Sequence, residues 1–445
     1  MSWYVFGCGS QSPELGRLSE ATVSPRRGAQ KRTRLWLRIA GSTFAVAGLF
    51  LPAAEAFALW DDKLKFFAEE KVTRDDNLFR LSKDLDPAKI GASSRGDTYH
   101  TTSLGLDFDV PASRQRFQGG YTWNATRYNQ YTDLDFDGHD ARATWLWQLG
   151  NDASGQLGYT ETSTLASFAF TQSRTPDRLR TRQAFFNAAY LVTPRWRLQA
   201  GVRGLEQTNG DPLGQRQIFD VKVRSTDFTV SYVTPANTTV GLSARTEDGR
   251  FPNQETTVDN NAYRQDSAGI VADWTPTGAS HLSARADRVR RRYAQVPQQD
   301  FDGNIARAQY DWKPTGKFSL AAVAQRDIYP YLDIGSSFVL VKGIALRPTL
   351  SLTEKIDLSG SFEYSVRDFL GNPGLAPGVS TGRTDRVRSG TATVSYRPAR
   401  TLTLLMSAQR EGRSSNVVPD LTAKPAVLPV DYVVNVFSVA ARITF

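Results

Sequence analysis

Apolar and polar residues alternate along much of this chain with a period of two. The clearest internal examples are 117–125, 141–149, 197–203 and 356–367. Successive side chains of a β-strand point to opposite faces, so each segment predicts a strand with one apolar and one polar face. After residue 58 the sequence has no long run of helical periodicity and no apolar stretch of the length of a transmembrane helix.

The last fifteen residues, 431–445, also alternate. Their apolar face carries Phe437, Val439, Ala441, Ile443 and Phe445. A last strand that ends on an aromatic residue resembles the terminal signal that the assembly machinery of bacterial outer-membrane β-barrels reads. Taken alone, the segment would also suit the final strand of a soluble sandwich. In a membrane, only a closed barrel satisfies the backbone of strands with an outward apolar face. We therefore predict an all-β, closed antiparallel transmembrane β-barrel.

A turn signal recurs through the chain, in which an aromatic residue or leucine is followed closely by proline. It occurs at 190–194, 232–235, 274–276, 312–314, 346–348 and 396–398, with weaker members at 110–112 and 149–155. The prolines lie 34 to 50 residues apart, which suits two strands and a loop per unit. Propeller blades share this period, but each holds four short strands. The count predicts eighteen strands. Sixteen is the alternative, because 63–74 and 98–128 are the weakest strand predictions.

Longer polar segments separate the strand pairs, at 75–97, 165–178, 248–261, 369–384 and 413–429. Both chain ends would then lie on the side of the short turns, which is the periplasmic side in outer-membrane barrels. Aromatic residues placed just before short turns predict an interfacial belt. The belt residues are Tyr190, Tyr232, Trp274, Trp312 and Tyr396.

Residues 1–58 have the pattern of a leader that contains a signal peptide. Basic residues precede an apolar run at 39–51, and Pro52 with the small residues after it prepares a cleavage site before Leu59. A single membrane anchor is the alternative, although it would need a longer apolar stretch. Residues 1–25 have no place in such a leader, and a mis-assigned start would explain them. The prediction is one barrel domain at 59–445.

Composition narrows the candidate chemistry. The only cysteine, Cys8, lies in the leader, so the remaining chain would have no disulfide, Cys-ligated zinc or Cys nucleophile. The leader carries seven basic and three acidic residues, so it holds +4 of the total charge of +9 and leaves +5. This excess is mild for a chain of this length, whereas a nucleic-acid binder should collect its basic residues on one face or helix, so nucleic acid is not predicted as a partner.

The polar faces of the predicted strands nominate residues that line the lumen. The basic set is Arg142, Arg197, Arg203, Arg245, Arg285, Arg307, Arg367 and Arg442. The acidic set is Asp107, Asp109, Asp273, Asp287, Asp311, Asp357 and Glu363. Two interpretations stay open: mixed charges brace a water-filled lumen, or the arginine excess favours an anionic solute such as an acidic polysaccharide.

Aromatic and basic residues near the loops offer further candidate binding residues. Tyr128, Tyr131, Phe136 and Tyr293 could stack on sugar rings or serve as interface anchors. The basic cluster at 288–292 predicts the extracellular end of a strand, where it meets the anionic outer leaflet or a bound polysaccharide. The alternative is the solvated base of a loop.

Signals for catalysis are weak. His100, His139 and His281 are far apart and lack a metal-ligand partner at short spacing. Ser280 and His281 are adjacent, so both cannot face the same side of a strand. We predict no enzyme activity, no metal and no cofactor.

Four segments resemble the amino-terminal third of EpsL-type proteins: Phe67 to Arg80, 114–117, 131–136 and 143–149. These are outer-membrane barrels of exopolysaccharide clusters associated with exosortase (PEP-CTERM) in Gram-negative bacteria. The stretch Asp-Asn-Leu-Phe-Arg at 76–80 is the most specific part of the resemblance, and related β-barrel porins have a similar sequence.

The resemblance implies a role in export or assembly of an extracellular polysaccharide, with the barrel as the translocation pore. The implied partners are outer-membrane lipid, the barrel assembly machinery, the exopolysaccharide and periplasmic export components. No catalytic residue carries over. A general small-solute porin and a structural or adhesive barrel without a conducting path are the alternatives. The sequence does not fix the oligomeric state.

Overall fold

The structure is a computed structural model that describes residues 63–171, 173–236, 238–254, 260–333, 336–371, 382–419 and 429–445. The predicted leader and its cleavage site lie outside these residues, as do parts of the long segments predicted at 165–178, 248–261, 369–384 and 413–429. None of the helices in the described part of the chain has the length and apolar character needed to span a membrane.

Eighteen antiparallel strands form a single sheet, and each strand pairs with its neighbours in sequence. In chain order, β1 to β9 are Leu64–Asp75, Asp97–Ala112, Gln115–Tyr128, Phe136–Leu149, Ala153–Leu165, Arg178–Thr193, Trp196–Gly210, Val221–Val233 and Thr239–Arg250. β10 to β18 are Tyr263–Thr277, Ser280–Tyr293, Phe301–Trp312, Phe318–Asp333, Ser336–Thr353, Ile356–Leu370, Thr384–Tyr396, Leu402–Ser415 and Tyr432–Thr444. The weakly predicted segments 63–74 and 98–128 are β1, β2 and β3, so the count of eighteen is confirmed and sixteen is wrong.

The first and last strands close the sheet into a barrel. β1 pairs with β18 from Phe67 opposite Thr444 to Asp75 opposite Val436. The amide of Phe445 also donates to the carbonyl oxygen of Phe66 at 2.8 Å. Because every strand pairs with another strand on both of its sides, the sheet closes on itself instead of ending in edge strands. The predicted closed antiparallel barrel is confirmed, and the propeller alternative is wrong.

The two ends of the barrel differ in their connections. One end has eight short connections, from two residues at 113–114 to five at 313–317, and it also holds the start of β1 and the end of β18. We call it the short-turn end. The opposite end carries most of the longer connections, including 76–96 and 166–177, and we call it the long-loop end.

One predicted turn was wrong. Pro348 lies inside β14, which continues to Thr353, and the turn is at 354–355. The β14–β15 register has no partner pair between Leu346 and Thr349. Proline has no amide hydrogen to donate, so it interrupts the ladder here without ending the strand.

The outer and inner faces of the wall follow the predicted alternation. Bulky apolar side chains such as Leu242, Phe362 and Met406 are exposed, at 68%, 59% and 59% of their surface. They share one parity within each strand and form the outer face. Residues of the other parity face the lumen. Polar and charged residues dominate that inner face, except at the long-loop end.

Two clusters of buried apolar residues fill part of the lumen at the long-loop end. The mouth cluster comprises Leu78, Phe79, Leu81, Leu85, Ala92, Tyr99, Tyr128, Tyr131, Leu134, Phe136, Leu165 and Phe168. The hairpin cluster comprises Val221, Val223, Phe251, Tyr263, Tyr293, Val296, Ile328 and Phe338. Both interpretations of Tyr128, Tyr131, Phe136 and Tyr293 were therefore wrong. Their rings are buried and present neither a free face for sugar nor an anchor at the outer surface.

Candidate functional site: the lumen and its long-loop mouth

The connection 76–96 folds back into the barrel instead of projecting away from it. The Asn77 side chain donates to the carbonyl oxygens of Leu81, at 2.8 Å, and of Val433 in β18, at 3.0 Å. Arg80 forms an ion pair with Asp75 at the end of β1, at 2.8 Å. These bonds fasten the start of the loop to the barrel wall. The stretch 76–80, which carries the most specific family resemblance, therefore builds the base of the mouth cluster.

Aromatic contacts join this loop to two other connections. The Phe79 ring lies edge-on to Tyr131 and to Phe168, with centroids 4.9 Å and 5.1 Å away. Tyr131 opens the short helical turn Thr132–Leu134, and Phe168 begins the single α-helical turn α1, Phe168–Thr171. The Tyr131 hydroxyl donates to the carbonyl oxygen of Ser94 at 2.6 Å. Three connections thus share one apolar core at the mouth.

An arginine on the inner face ties this core to the other side of the barrel. Arg413 in β17 donates to the carbonyl oxygen of Ala169 in α1, at 2.7 Å, and to that of Val430, at 2.7 Å. Its guanidinium also lies over the Tyr432 ring, 4.7 Å from the centroid. Two contacts therefore hold the α1 segment in place, one with the mouth cluster and one with β17.

The β13–β14 hairpin forms the second obstruction. β12 pairs with β13 only between Ala306 and Trp312, whereas β13 and β14 remain paired as far as Asp333 and Ser336. Beyond Arg326, β13 has no partner on the β12 side in the described part of the chain, whereas β14 stays paired with β15 as far as Phe338 opposite Leu370. This part of the hairpin bends into the lumen, because Ile328 and Phe338 are buried in the hairpin cluster with Val221 and Val223 of β8. This inward bend narrows the passage.

A fully buried arginine supports the hairpin. Arg291 in β11 has its guanidinium 4.0 Å from the Tyr263 ring centroid and 5.7 Å from that of Phe338. Its Nε donates to Gln265 Oε1 at 2.9 Å, and Glu247 lies 3.9 Å away. A cation between aromatic faces in a desolvated site interacts favourably with both rings.

The basic cluster at 288–292 therefore splits between the two faces. Arg288, Arg290 and Arg292 have the outer parity and are exposed, whereas Arg291 is buried inside. Treating the cluster as one strand exit was wrong for Arg291.

The arginines nominated for the lumen all have the inner parity of their strands. Several are held by neighbours: Arg142 pairs with Asp107 at 2.6 Å, Arg442 lies 3.8 Å from Asp107, and Arg245 lies 3.9 Å from Asp227. Arg442 also covers the Phe67 ring at 3.5 Å. Arg197, Arg203 and Arg367 share the inner parity, as does Glu363, which is opposite Ala345.

Arg285 and Arg307 stand out because they are directly opposite each other in the β11–β12 register. Arg285 pairs with Asp287, and Arg307 Nη1 donates to the neutral side chain of Gln325 at 2.9 Å. These contacts supply one carboxylate, that of Asp287, for two guanidinium groups. The pair therefore leaves a positive region on the lumen wall.

The predicted belt residues lie where the sequence placed them along their strands. Tyr190, Tyr232, Trp274, Trp312 and Tyr396 are all near the carboxyl ends of even-numbered strands, at the short-turn end. Trp196, just after the same turn as Tyr190, packs edge-on against Tyr232 at 5.4 Å. The terminal set Phe437, Val439, Ala441, Ile443 and Phe445 is exposed on the outer face.

In the long-loop connections, the surroundings of two carboxyl groups that form ion pairs shift their pKa values. Arg174 donates to both carboxylate oxygens of Asp133, and this hydrogen bonding lowers the Asp133 pKa. Burial raises the pKa of Asp177, although Arg216 at 3.0 Å opposes the shift. The connections are thus held partly by charge and partly by apolar contact.

No arrangement for catalysis or metal binding emerges from the described residues. Ser280 Oγ is 3.0 Å from the outward Tyr310 hydroxyl, whereas His281 Nε2 is 2.9 Å from Asp273 on the inner face. The two side chains therefore face opposite sides of the wall. Across the described ranges, no group of three or more His, Cys, Asp or Glu side chains could hold a metal ion.

The sequence did not reveal the two clusters: of their members it singled out only Tyr128, Tyr131, Phe136 and Tyr293, and it gave those four other roles. Leu78, Phe79, Leu81 and Leu85 are apolar residues within a connection, and that was the available signal. A loop surrounded by water has no reason to concentrate such side chains.

Comparison with known proteins gives a match over part of the barrel. The family described as "Putative beta-barrel porin 2" matches residues 248–431, from the end of β9 to the residue before β18. No curated protein matches the chain.

Among solved structures, the chain is similar to the outer membrane protein opdK from Pseudomonas aeruginosa, with 9% identity and a TM-score of 0.44, covering 86% of this chain and 99% of that one. It is also similar to Pseudomonas aeruginosa OccK2 (OpdF), with 10% identity and a TM-score of 0.46, covering 86% and 98%. Similarity at this level says nothing about the solute that this chain handles. The chain is thus a closed eighteen-stranded antiparallel β-barrel, and residues 248–431 of it are similar to this porin family.

Proposed function

We propose that this protein is an outer-membrane porin that admits small anionic solutes. The observation that carries the proposal is the cross-strand pair Arg285 and Arg307 on the lumen wall. Directly opposite side chains have Cβ atoms about 4.5–5.5 Å apart, and like charges at that distance repel each other. An anion between the two guanidinium groups relieves the repulsion. Rings of basic side chains favour anions in other selective pores.

The size limit follows from the mouth and hairpin clusters. Both lie inside the barrel at the long-loop end, and each is built from buried apolar side chains. A polymer would need these segments to leave the lumen, whereas a small solute needs only the space beside them. This obstruction supports a small solute over an extended chain.

The membrane placement rests on the outer face of the barrel. The exposed apolar side chains of the strands suit contact with hydrocarbon, and the aromatic residues at the short-turn end suit an interface. Outer-membrane lipid and the barrel assembly machinery are the proposed partners. The machinery would read the terminal set that ends in Phe445.

Bilayer recordings of the purified barrel test the solute preference. In a KCl gradient, the reversal potential of the wild-type barrel should show anion preference, and the variant Arg285→Gln with Arg307→Gln should lose most of it. The matched control removes two outward arginines, Arg264→Gln with Arg410→Gln, and should leave the preference unchanged. If the lumen variant keeps the wild-type reversal potential, the pair does not select anions. If the wild-type barrel passes no current, the porin function is wrong.

Export of an extracellular polysaccharide is the second candidate. It is favoured by the resemblance of 67–80, 114–117, 131–136 and 143–149 to EpsL-type proteins, and periplasmic export components and the exopolysaccharide would then be partners. Deleting the gene and measuring secreted polysaccharide separates the candidates. Polymer trapped in the periplasm would favour export. Normal secretion with anion-selective conductance would favour the small-solute porin, and normal secretion without conductance would leave a structural or adhesive barrel.

A further inference from the structure

The outer wall of β10 to β15 carries a groove. It has a volume of about 750 Å³ and is almost entirely apolar. Its floor includes Ala286, Ala306 and Ala324, and its sides include Ile270 and Tyr364. On the opposite wall, bulky side chains such as Trp145, Phe186 and Val202 occupy the outer face. Small floor residues between large neighbours create a depression wide enough for hydrocarbon chains.

The groove is headed by basic side chains at the long-loop end. Arg326 and Lys342 line it and are directly opposite each other in the β13–β14 register. Asn304 on β12 lies between Arg326 and Arg288 of β11: Arg288 Nη1 donates to Asn304 Oδ1 at 3.3 Å, and Arg326 donates to the carbonyl oxygen of Asn304. Arg326 and Lys342 therefore border one edge of the groove, and Arg288 lies near it on the outer face of β11.

Nearby carboxylates do not balance this charge. Asp368 bonds to Lys342 at 3.0 Å, and Asp302 bonds to Arg292 at 2.6 Å and lies 3.6 Å from Arg290. Asp302 is therefore engaged by other arginines. Arg326 and Lys342 repel each other across the strands, with one carboxylate for the pair. A group with more than one negative charge would relieve this repulsion.

The basic edge and the apolar floor are continuous, which identifies the kind of ligand. On β10 to β14, every outward charged side chain lies in the long-loop half of its strand, and the short-turn half is apolar or aromatic. We propose that this surface binds a phosphorylated lipid with several acyl chains. Its phosphate lies against Arg326 and Lys342, and its chains lie in the groove. Guanidinium and ammonium groups both form charge-assisted bonds with phosphate oxygens.

This site goes beyond the proposed solute passage and rests only on the outer-membrane part of that proposal. In an outer membrane with its short turns in the periplasm, the long-loop end lies in the outer leaflet. The lipid would then be the phosphorylated glycolipid of that leaflet. A free phosphate could satisfy the two cations but would leave the groove unfilled.

Native mass spectrometry of the purified full barrel in detergent tests the site. The probes are bis-phosphorylated lipid A, the same lipid without its phosphates, and inorganic phosphate. The wild-type barrel should bind phosphorylated lipid A about tenfold more tightly than the stripped lipid. Arg326→Gln with Lys342→Gln should remove that difference. Ala306→Phe with Ala324→Phe should weaken the binding of both lipids by filling the groove.

Matched controls lie on the opposite wall. Lys222→Gln with Arg224→Gln removes the same charge from the outer face of β8, and Ala188→Phe with Ala200→Phe adds the same two rings to the outer faces of β6 and β7. Both should bind lipid as the wild type does. Heat-modifiability on gels confirms that each variant is folded.

Equal affinity of the wild type for both lipids would overturn the proposal. Wild-type lipid binding by Arg326→Gln with Lys342→Gln would overturn it too. Saturation of the site by inorganic phosphate, with no displacement by lipid A, would assign it to a free anion. Because lipid counting does not depend on conductance, failure of the porin function leaves these readouts intact.

Discussion

Arg413 of β17 and Ala169 of α1 are 244 positions apart in sequence, yet the Arg413 guanidinium donates to the Ala169 carbonyl oxygen at 2.7 Å. This bond joins the wall of the barrel to a connection that begins on a distant strand. It makes the mouth a packed structure with contacts on both sides, and whatever passes the lumen must pass beside it.

Removing this bond should loosen the mouth. Arg413→Met keeps an unbranched apolar side chain but removes the guanidinium, so the carbonyl oxygens of Ala169 (buried) and Val430 (half-buried) lose this donor, at a cost of about 1–3 kcal/mol for each group left unsatisfied. We expect larger and noisier single-channel currents. Arg410→Met, on the outer face of the same strand, is the control and should conduct as the wild type does. Identical currents from both variants would show that α1 does not restrict the passage.

The hairpin should respond to loss of Phe338. Phe338→Ala removes a buried ring that contacts the Arg291 guanidinium, and core Phe→Ala changes cost about 3–5 kcal/mol. We expect faster hydrogen exchange in 328–333 and 336–341 and an increased conductance. Phe362→Ala deletes the same ring from the exposed outer face of β15 and should change neither. Unchanged exchange at the hairpin in Phe338→Ala would contradict a docked hairpin.

Closure of the barrel should depend on the last residue. Phe445→Asp places a carboxylate on the outer face beside the β1–β18 seam, where Phe445 bonds to Phe66. We expect a large fall in folded, heat-modifiable barrel in the outer membrane. The comparison is a deletion within 369–384, which falls largely outside the described residues. Because a connection is less constrained than a closing strand, that deletion should be tolerated better. Equal losses would refute this order.

The ion pair between Asp133 and Arg174 predicts a response to acid. The Asp133 pKa lies below its ordinary value of 3.8 because Arg174 hydrogen-bonds the carboxylate. A carboxyl with a lowered pKa in the folded state stabilises that state above its ordinary pKa, and the contribution is lost as pH falls through the lowered pKa. We therefore expect current noise to rise only below about pH 4. Asp133→Asn removes the ion pair and should raise the current noise already at pH 7. Wild-type current noise from this variant at pH 7 would show that the ion pair does not hold the long-loop connections in place.

The period-two alternation and the repeated turns were sufficient to predict the closed barrel and its eighteen strands. The direction of a strand side chain depends mainly on its position parity, so the outer face and the parity of residues such as Arg285 could be read from the sequence. Pro348 misled the turn prediction, because a strand can lose one ladder bond and continue.

Only the tertiary structure decided what fills the lumen. Whether a connection projects outwards or folds inwards depends on contacts such as Phe79 with Phe168, and local patterns carry no information about partners so far apart. Arg291 and Arg288 belong to one basic run, yet one is buried between aromatic rings and the other is exposed on the outer wall. Parity separates the two faces, but the rings that cover Arg291 come from β10 and β14, which only the closed and folded barrel brings together.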